Sequence, residues 1–320
     1  MAYSQGGLIE ATDYNNLIGT SPGSVANRLN TVWAVGSGSA GYGQTPISSV
    51  SVSSVVTATQ WASLINTLNS TLTHQSGTGS GISAPTAGTT INYLSTLSSS
   101  ITTAYTNRLN FNSNSAVTAG SALAYAAWTV TATNGTDTGT LTRSFGARAA
   151  FASADQARYF FNAGGRLKFN ITGTAGATTR STAALALLNN LGGIALFAAN
   201  TNGGRTGTGA TSNTNDTAKG YYTSTFNANT TVVSVTSTTA LYTSDTGTIT
   251  VKPSGTQGSN NDNGLQVDFW CTINSTSGGN AGGLFFDDSL TLTPTVSIDI
   301  SYPETTNLTG SWGTVTITQL

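Results

Sequence analysis

Leu290-Thr291-Leu292-Thr293-Pro294-Thr295-Val296-Ser297-Ile298-Asp299-Ile300-Ser301-Tyr302 decides how the chain reads. Apolar and polar side chains alternate along it, which sends one set to each face of an extended strand. Working outward, β-rich runs recur at 128–131, 141–145, 167–171, 221–226, 231–235, 248–251 and 265–273, and a last one lies at 315–317. Clusters of Gly, Asn and Asp punctuate them. Short strands spaced in this way predict a β-sandwich, jelly-roll or Ig-like, rather than a βαβ fold. Thr suits a pleated, half-exposed surface, so the excess of Thr has a direct structural use. A weakly charged surface also lacks one defence against edge-to-edge pairing, so the strand edges are expected to be covered by partner subunits.

Composition narrows the function. Only 7% of the 320 residues are charged, where about 25% is ordinary for soluble proteins. Lys and Arg total 11 and Asp and Glu total 12, for a net charge of −1. So few scattered cations do not make the basic stripe that a nucleic-acid binder needs. A single His (His74) and a single Cys (Cys271) build neither a His/Cys metal site nor an intrachain disulfide, and no cofactor or metal is expected. Serine–histidine hydrolysis would rest on His74 alone, which reads as a solvated residue of a Thr/Ser/Gly loop. Hydrophobic residues at 38% and aromatics at 8% suffice for a core, which argues against disorder. No run approaches the length of a membrane span, and Met1 to Gly7 carry no basic and apolar signal pattern. A surface of hydroxyls and amides suits a particle assembled inside a cell whose parts work outside one.

The stretch 1–112 reads as a helical attachment and assembly region, and 113–320 as a β-sandwich domain with short inserted helices. Thr12 and Thr59 are expected N-caps, with Asp13 complementing the helix dipole. Ala11-Thr12-Asp13-Tyr14-x-x-Leu17-Ile18 aligns with Ala58-Thr59-Gln60-Trp61-x-x-Leu64-Ile65, which suggests a duplicated unit. Asn27-Arg28-Leu29-Asn30 similarly echoes Asn107-Arg108-Leu109-Asn110. Ile91, Leu94, Leu97, Ile101, Tyr105 and Leu109 recur at steps of three or four and predict a further amphipathic helix. Ser- and Thr-rich helices of this kind are marginal alone. The stripes Tyr14/Leu17/Ile18 and Trp61/Leu64/Ile65/Leu68 are therefore expected to dock to other subunits, with an ordinary monomeric bundle as the competing reading.

Within the β region, Ser153-Ala154-Asp155-Gln156 fits a capping box, and Gly164-Gly165 stop the helix that it opens. Residues 183–190 read as helical, Gly192-Gly193 break them, and 194–197 read as a strand. Gly36-Ser37-Gly38-Ser39-Ala40-Gly41 matches GxGxxG, but a helix precedes it and no helix or acidic residue follows at the required spacing, so it reads as a connector. Asp287-Asp288 and 259–264 are oxygen-rich; a hairpin turn is favoured over a calcium loop at both. Cys271 reads as a small core residue. Most Trp residues read as core anchors, although exposed aromatics beside Asn and Thr would suit a carbohydrate surface.

The segment Ala150-Phe151-Ala152-Ser153-Ala154-Asp155-Gln156-Ala157-Arg158-Tyr159-Phe160-Phe161-Asn162-Ala163-Gly164-Gly165-Arg166-Leu167-Lys168-Phe169 resembles a motif of tailed-phage virion proteins. Ile9 to Asn15, Gly36 to Gln44 and the continuation Val56 to Gln75 look like virion structural and tail-fibre-like proteins of cyanobacterial phages. The quoted stretches cover under a fifth of the chain and carry over no catalytic residue. The resemblance implies a non-enzymatic virion structural protein, a tail fibre or particle appendage contributing to host-surface attachment. Its partners would be copies of itself as a homotrimer, other virion proteins and host surface glycans, with neither nucleic acid nor membrane insertion. It would be made in the host cytoplasm and exposed on the particle. A capsid cement or decoration protein is the alternative, and a polysaccharide-degrading tailspike the third reading.

Overall fold

The alternation that opens the sequence is realised as one long strand. Leu290, Leu292, Val296, Ile298 and Ile300 are buried, and the intervening Thr, Ser and Asp residues are half-exposed. The computed structural model describes residues 10–19, 28–92, 94–131, 140–199, 214–215, 219–276, 280–281, 284–285 and 289–320. In chain order its elements are helices α1 (Ala11–Ile18), α2 (Leu29–Trp33), α3 (Ala58–Ser76) and α4 (Leu94–Thr106). Strands β1 (Leu123–Ala124), β2 (Trp128–Val130) and β3 (Leu141–Ala150) follow, then α5 (Ala154–Asn162), β4 (Arg166–Ala175), α6 (Thr179–Leu191) and β5 (Ile194–Leu196). The rest is β6 (Thr214–Asn215), β7 (Thr230–Thr236), β8 (Thr246–Ser254), β9 (Gln266–Ser275), β10 (Asn280–Ala281), β11 (Leu284–Phe285), β12 (Leu290–Ser301) and β13 (Thr316–Gln319).

The fold is mixed but mostly strand, with two large antiparallel sheets. One runs β1-β12-β4-β5 with β2 also on β12, the other β13-β3-β9-β8-β7-β6, and β10 and β11 form a small ribbon. A proline explains why β12 has two short partners on one side. The carbonyl of Pro294 accepts from Tyr125 on that side, where the missing N–H of Pro294 would otherwise continue the ladder. The ladder therefore stops between β2, paired at 290–292, and β1, paired at 295–296.

Side chains from both sheets share one hydrophobic cluster. Phe169 of β4 stacks on Phe269 of β9, with centroids 5.3 Å apart and planes at 11°. Helix α6 packs against β4 and β12 of one sheet and β7, β8 and β9 of the other, burying Ala184, Leu187, Leu188 and Leu191. Cys271 is fully buried there, as expected, and burial raises its thiol pKa well above the ordinary value.

Nine of the ten expected strand runs are strands; 221–226 is not. Strand geometry would send Tyr221 and Tyr222 to opposite faces. A turn, with Ser224 N–H bonded to Gly220 O, brings both inward. Tyr221 stacks on Phe161 at 4.4 Å, and the Tyr222 hydroxyl donates to Gly38 O.

The helices correct several expected caps. Glu10, not Thr12, caps α1 and makes a reciprocal box with Asp13; Thr57, not Thr59, caps α3 and does the same with Gln60. Glu10/Asp13 and Thr57/Gln60 have the same offset as the repeated apolar residues, so the echo extends to the caps. The second echo does not share a context: Arg28 precedes α2, whereas Arg108 follows α4, and Asn27 lies outside the described residues. The Ser153 hydroxyl accepts from Gln156 N–H at 3.1 Å. The other arm of that expected box is missing, because the Gln156 amide is tucked beneath Gly313. Gly164, at φ +86°, turns the chain out of α5 as expected.

Candidate functional site

Each expected docking residue is interior to the single chain. Tyr14, Leu17, Ile18, Trp61, Leu64, Ile65 and Leu68 are at most 4% exposed and belong to one cluster with Leu29, Leu97 and Ile101. Tyr14 meets Trp61 edge-on at 5.6 Å. Amphipathic stripes from α1, α3 and α4 have found each other, so none is left facing outward for another subunit. Within the chain these helices pack together as a bundle. Two side-chain amides tie the loops to it by mimicking backbone pairing. Asn15 bonds both N–H and C=O of Val50, and Asn30 does the same at Ile47.

The concentrated polar chemistry lies where this helical cluster meets the sheets. The Gly/Ser connector at 37–41 is held from several directions. Arg108, just after α4, donates to the Ser39 carbonyl at 3.0 Å and to its hydroxyl at 3.1 Å. Arg158 of α5 is fully buried; it donates to Ala40 O at 2.6 Å and to Asp155 at 3.1 Å. Asn162 donates to Gly38 O and Gly41 O, and Gly38 N–H donates to Asn260 O. Asn260 in turn donates to Asp155.

The glycines of the connector serve this close approach. Gly41 has φ +101°, and a Cβ on it would stand 2.1 Å from Val35 O. Gly38 has φ +52° but nothing nearer than 3.8 Å. Gly41→Ala should therefore lower stability by at least about 2 kcal/mol, and Gly38→Ala by about 1 kcal/mol. Urea midpoints of the two variants check that ordering.

The second half of the joint surrounds the only histidine. His74 is not a loop residue: it sits in the last turn of α3, 1% exposed. Its Nδ1 lies 2.9 Å from Glu304 Oε1, and the Tyr42 ring meets it edge-on at 5.2 Å. Glu304 also accepts from Thr306 N–H at 2.6 Å, Asn307 N–H at 2.9 Å and the Asn307 amide at 3.2 Å. Beside it the Tyr42 hydroxyl donates to Arg108 O and accepts from Gln75. Gln44 completes the seam, donating to Thr309 O at 2.9 Å and accepting from Thr309 N–H at 2.7 Å.

Burial pulls the His74 pKa below its ordinary 6.5, against the hydrogen bond and charge of Glu304 and the Ala163 carbonyl. At Glu304 burial pushes upward, but the bonds from Asn307, His74 and Thr306 outweigh it and hold the pKa below 4.5. Both shifts act in the same direction. Below 6.5 the unfolded state takes up a proton on His74 that the folded state resists, so stability is lost as pH falls, until the lowered folded value is passed. The Glu304 contribution is intact above 4.5 and is lost as pH falls through its own lowered value. Acid should thus loosen the joint in two stages, and His74→Gln should remove the upper one. Urea melts between about pH 8 and about pH 3 test this.

Other expectations resolve locally. In the 259–264 loop one Asp262 oxygen accepts from Gly258 and Gly264 N–H, which is the turn reading. Asp287 and Asp288 lie outside the described residues. Among the described residues no three His, Cys, Asp or Glu side chains are grouped to hold a metal, and no helix is long and apolar enough to cross a membrane. Sequence reasoning singled out Arg158 and Asn162 only as part of the resemblance. The Asp155/Arg158 spacing of three was a local signal for their ion pair; nothing local signalled Glu304. No family model, characterised protein or solved structure matches the chain.

Proposed function

We propose that the chain is a non-enzymatic structural component of a tailed-phage particle, a tail fibre or similar appendage that works as a homo-oligomer and contributes to host-surface attachment. The observation that carries this reading is the joint. The connector at 36–44 and the helix within 150–169 both bear the virion resemblance, and they grip each other through Arg158, Tyr159 and Asn162. Two of the four stretches that carry the resemblance are thus in contact in the fold, which supports reading them together.

In this reading the two large sheets form a β-sandwich. The order β3-β9-β8-β7, three hairpin-linked strands with a distant fourth beside them, is a Greek key, common in sandwiches. The edge strand β13, short and largely exposed, is where a neighbouring copy would cover the sheet. Antibodies raised against the purified chain test the proposal on particles of the phage that encodes it. Gold label on tail appendages is expected. Label on the shell instead would replace the appendage reading with the decoration one, and unlabelled particles would overturn a virion role.

A further inference from the structure

Trp61 belongs to the helical core, Trp128 and Trp312 to the core of the sheets, and Trp33 packs against the latter; Trp270 belongs to neither. It is half-buried on the outer face of β9. The registers place it at the centre of a grid of three strands. Ser144, Thr272 and Thr248 form one row, Gly146, Trp270 and Thr250 the next, and Arg148, Asp268 and Lys252 the third. A Cβ on Gly146 would stand 3.0 Å from the indole carbons. The indole therefore reaches over the glycine, whose missing side chain leaves room for it.

The flanking rows differ in chemistry. On one side the Ser144 and Thr272 hydroxyls are bonded at 2.8 Å, and beyond them Thr142 donates to Asn274 at 2.8 Å. On the other side Arg148 is bidentate to Asp268, at 2.7 and 2.9 Å, with Lys252 Nζ 3.5 Å from the same carboxylate. The side chain of Asp268 is 1% exposed, whereas those of Arg148 and Lys252 are 33% and 29% exposed. The anion is submerged and both cations reach the surface, so this end of the patch presents positive charge.

We infer that this patch is a saccharide site for pyranose rings carrying a carboxylate. The apolar face of a ring stacks on Trp270, its hydroxyls exchange hydrogen bonds with the Ser/Thr/Asn rows, and its carboxylate pairs with Lys252 and Arg148. Residues two apart on a strand are about 6.7 Å from each other and neighbouring strands about 4.8 Å, so the grid spans about two linked rings. The inference names a ligand class for the attachment role proposed above and rests on that reading for its biological setting.

The test uses the full chain and saturation-transfer NMR, with trigalacturonate and a hyaluronan tetrasaccharide as acidic probes and methyl-esterified trigalacturonate as the neutral control. Transfer to at least one acidic probe is expected, with weaker binding of the ester. Trp270→Ala should weaken binding by about tenfold or more, and Trp270→Phe should restore part of it. Lys252→Gln leaves the indole and Gly146 undisturbed; it should weaken the acidic probe about threefold and leave the ester unchanged. Absence of transfer to both acidic probes, or equal transfer with Trp270→Ala in a chain of wild-type melting temperature, overturns the site. Saccharide binding by a chain that labels no particle would keep the site and overturn the virion role. Labelled particles without saccharide binding would do the reverse.

Discussion

Leu64→Asp should unfold the helical cluster, not merely split an oligomer. Leu64 is fully buried in the middle of α3, among residues from α1 and α4. The substitution removes a core Leu, which costs about 2–5 kcal/mol, and puts a carboxyl where no partner is available, which adds several more. Ser/Thr-rich helices depend on tertiary packing for their stability, so α1 and α4 should go with α3. The expected result is a loss of far-UV helical signal at a urea concentration where the strand signal persists. Ser95→Asp, on the exposed side of α4, should have almost no effect. A Leu64→Asp chain with wild-type helicity and unfolding but a reduced native mass would restore the docking reading of the stripes.

Glu304→Ala should be the most damaging single change in the joint, at about 3–5 kcal/mol. Glu304 is 7% exposed, and its carboxylate satisfies His74, the Thr306 and Asn307 amides and the Asn307 side chain at once. Removing it leaves these donors facing a cavity, and bonds to a charged acceptor are among the stronger ones. Glu304→Gln keeps the shape but turns a donor toward donors, so it should recover only a minor part. Urea unfolding gives the magnitude. Hydrogen exchange at Thr306, Asn307 and the end of α3 should accelerate before the strands do. A shift below about 1 kcal/mol would mean that the pair behaves as a solvated surface contact.

What the sequence disclosed followed the range of the interaction. Residues 290–302 were legible because strand alternation is written in consecutive residues and tertiary packing agrees with it. The helix at 94–106 was legible for the same reason at a different period. The caps of α1 and α3 were misplaced by two residues, since Glu10 and Thr57 stand further from the first apolar residue than the expected Thr12 and Thr59. Tyr221-Tyr222 has strong strand propensity, but Phe161 and Gly38 draw both side chains to one side, and that pull is absent from local pattern. His74 was misread most completely. Its loop-like neighbours are Thr, Ser and Gly, while the carboxylate that defines its environment is 230 residues away. The connector at 36–41 was recognised as a connector, but its grip by Arg108, Arg158 and Asn162 depends on three distant elements.

The bonds from Gln44 to Thr309 and Ser311 join points 265 and 267 residues apart, and this gives the joint a place in time. At synthesis rates of about 5–20 residues per second, the connector emerges tens of seconds before its C-terminal partners exist. The helical cluster, whose core comes from residues 11–104, can close in that interval through local contacts. The seam cannot close before residues 304–311 have left the ribosome. A nascent chain that stops short of residue 304 therefore carries Gln44 and His74 without these partners, and synthesis through residues 304–311 is what lets the joint close.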